Sequence, residues 1–404
     1  MIKKIIISSL VIGTLVNSLY AKSSDLIEKG KEVAVAADCY ACHTNGDGQK
    51  YGGGVPFPTP FGIVYSKNIS PDKQNGIGSY SYEDFSQAVR RGVSKRGNLY
   101  PAMPYDSFHL VTDEDTKALY AYFKSIPAVS QKNKKDEVSF PFNIRMGLKG
   151  WNLINLPSNT FKPNPNKSKV YNRGDYLTNS LGHCGSCHTP RDATMAIDKS
   201  KHLKGNFIAG TMAPDISSSE LRRQGWTQDS IVSILKDGYS KRGTILGHMT
   251  PITYHSLSKL NDKDLNAMAV YLLDSDEKID EQPLTFKNHN KKDPGYTLYT
   301  GYCASCHGQN GQGIPNTAPA MAGNGTLNQT KPLNTIYTLV YGIQKQRYSQ
   351  TNAFAAMPSY KFTDDELTNI VNYLQNTFTN LNRTYTKAQI VKFKKEVIEG
   401  AHDE

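Results

Sequence analysis

All six cysteines of the 404-residue chain occur in one type of motif, two cysteines separated by two residues and followed by histidine. Two thiols at this spacing can bond to the two vinyl groups of one haem, while the next side chain places its imidazole on the iron. The motif therefore predicts three covalently bound haems c. The attachment residues are Cys39 and Cys42, Cys184 and Cys187, and Cys303 and Cys306, and the axial histidines are His43, His188 and His307.

Zinc sites and disulfides are the two alternatives for paired cysteines. A zinc site would combine cysteine pairs from distant parts of the chain and would leave the histidine after each pair a coincidence. Three disulfides would suit an exported protein, but they do not explain why every cysteine belongs to the same five-residue motif. Haem attachment explains all three copies.

Each iron needs a sixth ligand, and a methionine thioether raises the reduction potential and closes the iron to small ligands. Met103 and Met357 each stand in an Ala-Met-Pro sequence shortly before a capped helix. Both are predicted axial ligands. Met321 is predicted to form apolar surface that packs against the haem.

The sixth ligand of the second site is less clearly marked. Met249 is the favoured ligand, although threonine rather than proline follows it. His248 and Met212 are the alternatives. A histidine ligand would give a bis-histidine iron with a lower potential.

A longer repeat surrounds each cysteine motif. A short helical stretch with a glycine precedes the motif, and a capping residue followed three positions later by an acid starts a helix after it. Ten residues beyond each cap lies a tyrosine, on an apolar helical stripe. The three sets are Gly30, Thr112 and Tyr122; Gly174, Asn261 and Tyr271; and Gly295, Thr363 and Tyr373.

These features resemble class I c-type cytochrome domains, in which an N-terminal helix crosses a C-terminal helix at a contact between glycine and an aromatic residue. The resemblance implies a mainly α fold of three tandem domains whose long loops wrap the haem. It predicts that each glycine of the repeat meets the tyrosine of the same set. The expected domains cover residues 22–127, 173–275 and 293–380.

The remaining segments lie outside these domains. Lys3 and Lys4 precede a short apolar run that ends near Ala21, which predicts a signal peptide over residues 1–21 and a periplasmic protein. Residues 128–172 are rich in Lys, Asn and Pro and are predicted to be an extended strap between domains. Its candidate anchors are Phe140, Phe142 and Trp151, and a second linker is expected at 276–292.

Residues 381–404 are predicted to form an amphipathic tail. Ile390, Phe393 and Val397 fall on one side of a helix that starts with a capping box at Thr386. Such a helix can lie on a membrane surface, on a partner subunit or on the third domain. All three contacts remain open from the sequence.

The segments between the motifs resemble a narrower family, the triheme cytochrome c subunit of membrane-bound bacterial alcohol, gluconate and sorbitol dehydrogenases. The resemblance extends over almost the whole mature chain. Its main segments are Gly76-Ile77-Gly78-Ser79-Tyr80, Leu99-Tyr100-Pro101-Ala102-Met103-Pro104-Tyr105, Phe140-Pro141-Phe142-Asn143-Ile144-Arg145 and Asn172-Arg173-Gly174-Asp175-Tyr176-Leu177.

This resemblance implies that the protein has no catalytic residues and does not oxidise a substrate by itself. A separate catalytic subunit that carries FAD or PQQ would deliver electrons, and ubiquinone or the respiratory chain would accept them. The FAD-dependent gluconate, sugar-acid or polyol type is favoured, and a PQQ alcohol dehydrogenase is the alternative. Peripheral association with the membrane is a further expectation.

The formal net charge of +11 does not indicate a nucleic-acid partner, because export separates the protein from nucleic acid. Haem propionates offset part of this charge, and Arg191 is a candidate to contact one of them. A haem peroxidase would need one iron without its methionine. A cytochrome subunit of a terminal oxidase would usually carry fewer haems and a membrane-spanning anchor.

Overall fold

The computed structural model describes residues 24–46, 48–283, 287–349, 353–381 and 383–402. The predicted signal peptide at 1–21 lies outside the described residues. The chain divides into two compact units, Met1–Lys162 and Pro163–Glu404, here called the N-terminal unit and the C-terminal unit. Within the described ranges, no helix has the length and apolar character needed to cross a membrane.

The N-terminal unit contains the first cysteine motif. Strands β1 and β2 pair antiparallel with Pro56 opposite Tyr65, and β5 joins the other edge of β2. Strands β3 and β4 form a separate two-stranded hairpin. In chain order the elements are α1 (24–36), α2 (Cys39–His43), β1 (Pro56–Thr59), β2 (Gly62–Tyr65), α3 (Tyr82–Arg91), β3 (Val93–Ser94), β4 (Gly97–Asn98), α4 (Tyr105–Phe108), α5 (Asp113–Ser125), β5 (Glu137–Val138) and α6 (Gly147–Asn155).

The second domain opens the C-terminal unit. Its first helix continues through a π-helical turn, Leu177–Leu181, into the cysteine motif, and short 3₁₀ turns occur at Lys199–Lys201 and Leu257–Lys259. Its helices and strands are α7 (Lys169–Tyr176), α8 (Gly185–His188), β6 (Asn206–Ile208), β7 (Thr211–Ala213), α9 (Ser218–Arg223), α10 (Gln228–Asp237), β8 (Tyr239–Ser240), β9 (Gly243–Thr244), α11 (Met249–His255) and α12 (Asp262–Leu273).

The third domain completes the C-terminal unit, again with a π-helical turn, Tyr299–Cys303, before the motif helix. Its elements are α13 (Pro294–Leu298), α14 (Ala304–His307), α15 (Leu333–Tyr341), β10 (Gln346–Arg347), β11 (Ala353–Phe354), α16 (Asp364–Phe378) and α17 (Lys387–His402). The strand pairs β6–β7, β8–β9 and β10–β11 are two-stranded antiparallel hairpins. Helices dominate every domain, which confirms the mainly α fold.

The crossing of the first and last helices of each domain depends on a glycine. A Cβ atom built on Gly30 would lie 2.0 Å from the Ala118 carbonyl oxygen and 2.7 Å from Tyr122 Cβ. Only a residue without a side chain allows the two helices to approach this closely. The predicted contact between glycine and tyrosine is therefore confirmed. The same arrangement recurs at Gly174 with Ala267 and Tyr271, and at Gly295 with Asn369 and Tyr373.

The helix starts predicted after each motif are also confirmed. The side chains of Thr112, Asn261 and Thr363 each accept a hydrogen bond from the backbone N–H three residues later. At Thr363 the carboxylate of Glu366 accepts from the Thr363 N–H in return, which completes a capping box. These bonds satisfy amide groups that a helix start otherwise leaves without partners.

The C-terminal tail packs on the third domain. Its helix α17 begins with the predicted capping box and contacts α15, α16 and β7. Ile390 and Val397 are fully buried in the core of that domain, and Phe393 packs against the same core. Lys387 and Lys394 form ion pairs with acidic residues at the start of α16. The apolar side of the tail is thus used within the protein.

The segment 128–172 differs from the prediction of an extended strap. It contains β5, α6 and the start of α7, and residues 128–162 belong to the N-terminal unit. The Asp136 carboxylate forms ion pairs with Lys67 and Arg145. Of the candidate anchors, Phe142 stacks on Phe61 and Trp151 meets Tyr105 edge to face, whereas Phe140 is 78% exposed.

The helix crossing at Gly30 leads to a stability prediction. Substitution Gly30→Ala places a methyl group against a backbone oxygen that cannot move away, so we expect the free energy of unfolding to fall by about 1–3 kcal/mol or more. Gly150→Ala is the matched control in the same unit, because a Cβ there meets nothing within 4 Å. Alanine in an open helical position should stabilise the protein by about 0.5–1 kcal/mol.

The measurement is the denaturant midpoint of the full-length haem-loaded protein. A midpoint for Gly30→Ala equal to that of the unsubstituted protein would contradict the proposed close helix crossing.

Candidate functional site

The three cysteine motifs all lie at short helices. Helix α2 spans the whole first motif, whereas α8 and α14 begin one residue after the first cysteine of their motifs. All six cysteines lie among the described residues, and no disulfide joins any two of them there, which argues against the disulfide alternative. Burial raises the pKa of the Cys39 thiol and raises those of Cys184 and Cys303 to about 12. The buried thiols are therefore uncharged, which suits contact with an apolar porphyrin.

Each motif histidine is held by a backbone carbonyl group from a later loop. Such a bond places the proton on Nδ1 and leaves the lone pair of Nε2 available to a metal. Burial lowers the pKa of all three imidazoles, so the neutral form that binds iron is favoured. The distances from Nδ1 to the carbonyl oxygen are 2.7 Å for His43 and Lys67, 2.8 Å for His188 and Pro214, and 2.9 Å for His307 and Pro319.

In each domain, a glycine in the loop after the motif forms a backbone hydrogen bond to the motif histidine. The N–H of Gly53 donates to the His43 carbonyl oxygen over 2.8 Å, and its φ of +75° is unfavourable for other residues. A Cβ on Gly53 would lie 2.5 Å from the carbonyl carbon of Lys67, the residue that holds the histidine ring. Gly205 and Gly313 bond to His188 and His307 in the same way, also with positive φ.

Sequence reasoning missed these glycines. Their distance along the chain from the histidine differs in every copy, and their partners are backbone groups that any residue can supply. A glycine in the loop after each motif is the one signal that the sequence offers.

The third site is a cavity of about 300 Å³ in the C-terminal unit. Its lining brings together Cys303, Cys306, His307 and Met357, the four residues predicted to hold one haem. Met321 also lines the cavity, in the apolar role predicted for it.

In the part of the chain that the structure describes, the cavity wall also contains two hydroxyl groups whose hydrogen-bonding capacity is unused. The buried hydroxyl oxygens of Thr244 and Thr335 line the cavity and have no hydrogen-bond partner among the described residues. A haem carries propionate groups that such hydroxyls can bind. The thiols, the imidazole, the thioether and these unpaired hydroxyls together fit haem c.

The structure separates the three candidates for the sixth ligand of the second site. Met212, on β7, packs against the core of the third domain, and its N–H donates to Asn334 Oδ1 over 2.7 Å. Its side chain is therefore taken up by contacts with that core and is not a candidate iron ligand. His248 is exposed, whereas Met249 is half-buried at the start of α11. Met249 remains the predicted ligand.

The same hairpin sequence precedes both Met103 and Met249. Residues 94–97 and 240–243 both read Ser-Lys-Arg-Gly, and both form the turn of a hairpin, β3–β4 in the first domain and β8–β9 in the second. The two methionines follow this turn at equal distance. The repeat was available in the sequence as a signal for Met249. In the third domain, Met357 instead exchanges two backbone hydrogen bonds with Ile343.

Arg191, the candidate to contact a propionate, donates from Nη2 to the Ser186 carbonyl oxygen over 3.1 Å. Ser186 lies between the two cysteines of the second motif. The guanidinium group is therefore beside the second site.

Comparison with known proteins agrees with this geometry. Residues 27–127 and 293–378 match the cytochrome c family. The chain is 35% identical to the gluconate 2-dehydrogenase cytochrome c subunit of Pantoea cypripedii, over 98% of this chain and 96% of that protein. The chain belongs to the cytochrome c family. The cofactor of this cytochrome is therefore covalently bound haem c.

Two further relatives resemble this cytochrome at 34% identity. One is the fructose dehydrogenase cytochrome subunit of Gluconobacter japonicus, with 89% of this chain and 80% of that protein covered. The other is the cytochrome c subunit of the quinone alcohol dehydrogenase of Gluconacetobacter polyoxogenes, with 96% and 88% covered.

The cavity of the third site gives a ligand prediction. Substitution Met357→Ala removes the predicted sixth ligand, so carbon monoxide should bind about one third of the reduced haem, the share of one site in three. Met321→Leu is the matched control, because Met321 lines the same cavity without a predicted ligand role. The optical spectrum after addition of carbon monoxide measures the bound fraction.

The control and the unsubstituted protein should bind almost none. Equal binding by Met357→Ala and Met321→Leu would contradict the assignment. Substantial binding by the unsubstituted protein would indicate an open iron, as a peroxidase needs.

Proposed function

We propose that this cytochrome is the periplasmic, triheme electron-transfer subunit of a membrane-associated dehydrogenase complex. The observation that carries the proposal is the threefold repetition of one arrangement, a motif histidine bonded through Nδ1 to a loop carbonyl that a positive-φ glycine holds in place. A site that had lost its haem would be under no constraint to keep this geometry. Three equivalent arrangements therefore support three haems.

Bound haem c supplies an iron that accepts and releases one electron at a time. The residues of the chain bind and orient it. The cysteines would hold the haem through thioether bonds, and the carbonyl bonds of His43, His188 and His307 fix the direction of each imidazole Nε2. The predicted methionine ligands, Met103, Met249 and Met357, would keep water and small ligands from the iron. This arrangement suits electron transfer and leaves no position for a substrate.

The electron donor that we propose is a catalytic subunit with FAD that oxidises gluconate, another sugar acid or a polyol. Support comes from the gluconate 2-dehydrogenase cytochrome c subunit, which matches over almost the full length of both chains. A PQQ-containing alcohol dehydrogenase subunit is the second candidate, favoured by the relative from a quinone alcohol dehydrogenase. The proposed acceptor is ubiquinone or another component of the respiratory chain.

Purification from the native host tests the proposal. We expect the mature protein, cleaved after the signal peptide at 1–21, to gain the mass of three haems through thioether bonds. A large flavoprotein subunit should co-purify, and its substrate should reduce the haem absorption bands. Co-purification of a quinoprotein would replace the FAD assignment with the PQQ assignment. Fewer than three haem masses, or no dehydrogenase subunit, would refute the proposal.

Membrane association is part of the same proposal, and the tail is not its best candidate, because its apolar side is buried. A group of exposed apolar side chains lies instead on and before α6 and is called here the α6 apolar surface. Leu153 is 87% exposed and Ile154 is 77% exposed. The complete set is Phe140, Phe142, Ile144, Met146, Leu153 and Ile154.

A lipid surface is the occupant that we propose for the α6 apolar surface. Large exposed apolar groups are rarely left in water without a partner. Exposed lysines accompany them in the same segment, at positions 132, 134, 135 and 149. Apolar side chains next to lysines are the pattern of peripheral proteins that bind anionic phospholipid.

Vesicle sedimentation checks this surface. The double substitution Leu153→Glu with Ile154→Glu should reduce binding of the haem-loaded protein to anionic phospholipid vesicles by about tenfold or more, because it adds two negative charges and removes two apolar contacts. Val391→Glu is the control on the tail helix, since Val391 is partly exposed there. Loss of binding in the control alone would assign membrane contact to the tail.

A further inference from the structure

A buried tyrosine supports the methionine loop of the first site. The Tyr105 ring packs on Gly92, where a Cβ would lie 2.5 Å from the ring. Its hydroxyl lies 3.3 Å from the Leu99 carbonyl oxygen and 2.9 Å from Asn152 Oδ1. Leu99 in turn donates its N–H to the Gly92 carbonyl oxygen over 2.7 Å. Tyr105 therefore braces the chain that leads from the hairpin β3–β4 to Met103.

The second domain lacks this tyrosine in its own sequence. The position two residues after the methionine is Tyr105 in the first domain and Pro251 in the second. The surrounding backbone is nevertheless the same. Ile245 donates its N–H to the Gly238 carbonyl oxygen over 2.8 Å, as Leu99 does to Gly92. The loop of Met249 thus has the same shape without its own brace.

The third domain supplies the missing ring. Tyr348 is only 1% exposed, and its ring lies 2.2 Å from a Cβ built on Gly238. Its hydroxyl donates to the Ile245 carbonyl oxygen over 2.8 Å. Gly238 and Ile245 correspond to Gly92 and Leu99 through the shared Ser-Lys-Arg-Gly register. A residue about 100 positions away in the chain therefore makes the two contacts that Tyr105 makes in the first domain.

We propose that Tyr348 is a positioning residue for the Met249 loop, so that the third domain completes the second haem site. A tyrosine that only joined two domains could place its hydroxyl on any surface group. Tyr348 places it on the carbonyl that the first domain braces with its own tyrosine.

The second domain contributes in turn to the third haem site. Thr244 and Leu246, from the second domain, line the cavity of the third site, and Tyr348 lines it as well. Leu246 lies between the residue that Tyr348 bonds and Met249. One short segment thus serves both sites, as the ligand loop of the second and as a wall of the third. The two sites are therefore structurally dependent on each other.

Binding of carbon monoxide to the reduced protein tests the positioning role. Tyr348→Phe keeps the ring and removes the hydroxyl, and Tyr348→Ala removes both. We expect the bound fraction of haem to rise from almost none toward about one third in Tyr348→Ala, the share of one site in three, with a smaller rise in Tyr348→Phe. Thermal unfolding of Tyr348→Phe verifies that the fold is retained.

The substitution Met249→His shows which iron has opened. In this background the second iron has a histidine ligand that carbon monoxide does not displace readily, so Tyr348→Phe should no longer increase binding. Tyr105→Phe is the matched control, because it acts on the Met103 loop and should increase binding with or without Met249→His.

An unchanged bound fraction in both Tyr348 variants would overturn the proposal, and so would an increase that persists with Met249→His. The inference rests on the triheme function proposed above. A haem mass below three in the unsubstituted protein would refute that function, whereas three haems with no effect of Tyr348 would refute only the positioning role.

Discussion

The hydrogen bond between the imidazole Nδ1 of each motif histidine and a loop carbonyl is the interaction on which the sites depend. A free imidazole ring can rotate and can carry its proton on either nitrogen. The carbonyl oxygens of Lys67, Pro214 and Pro319 select one tautomer and one ring direction, and Nε2 is then available to iron. Each loop needs a glycine with positive φ to reach the motif. The helix crossings at Gly30, Gly174 and Gly295 position the motif helices that these loops meet.

The same site arrangement is thus repeated, but different residues support the methionine loop in the first and second domains. The first domain braces its methionine loop with Tyr105, and part of the segment 128–172 adds to that brace, since Asn152 accepts from the same hydroxyl. The second domain depends on Tyr348 for the equivalent contact. Its hairpin β6–β7 is also covered from outside, because the Phe207 ring and Gly210 lie against Gly400 of α17. The tail therefore stabilises the contact between two domains within the C-terminal unit.

The sequence predicts the parts of this structure that depend on local pattern. The cysteine motifs, the helix caps and the glycines that meet a tyrosine each combine a residue type with a fixed spacing. Contacts that involve backbone groups or distant residues carry no such signal. Nothing in the composition of residues 128–172 shows that Asp136 pairs with Lys67. The helix α6 within this segment was also not expected, because the segment lacks sustained helical periodicity. The tyrosine for the second site lies in another domain, where only the folded chain shows its role.

Shared walls have an electrostatic consequence. A change of charge at a centre enclosed by protein is screened less than one in water, because the effective dielectric constant of the interior is lower. The segment from Thr244 to Met249 belongs to the second site and to the lining of the third. The buried Tyr348 ring lines the third site, and its hydroxyl bonds to Ile245 in this segment. With haem bound at both sites, as proposed above, residues of both domains would set the potentials of the two centres, and a substitution in either domain would change the environment of both.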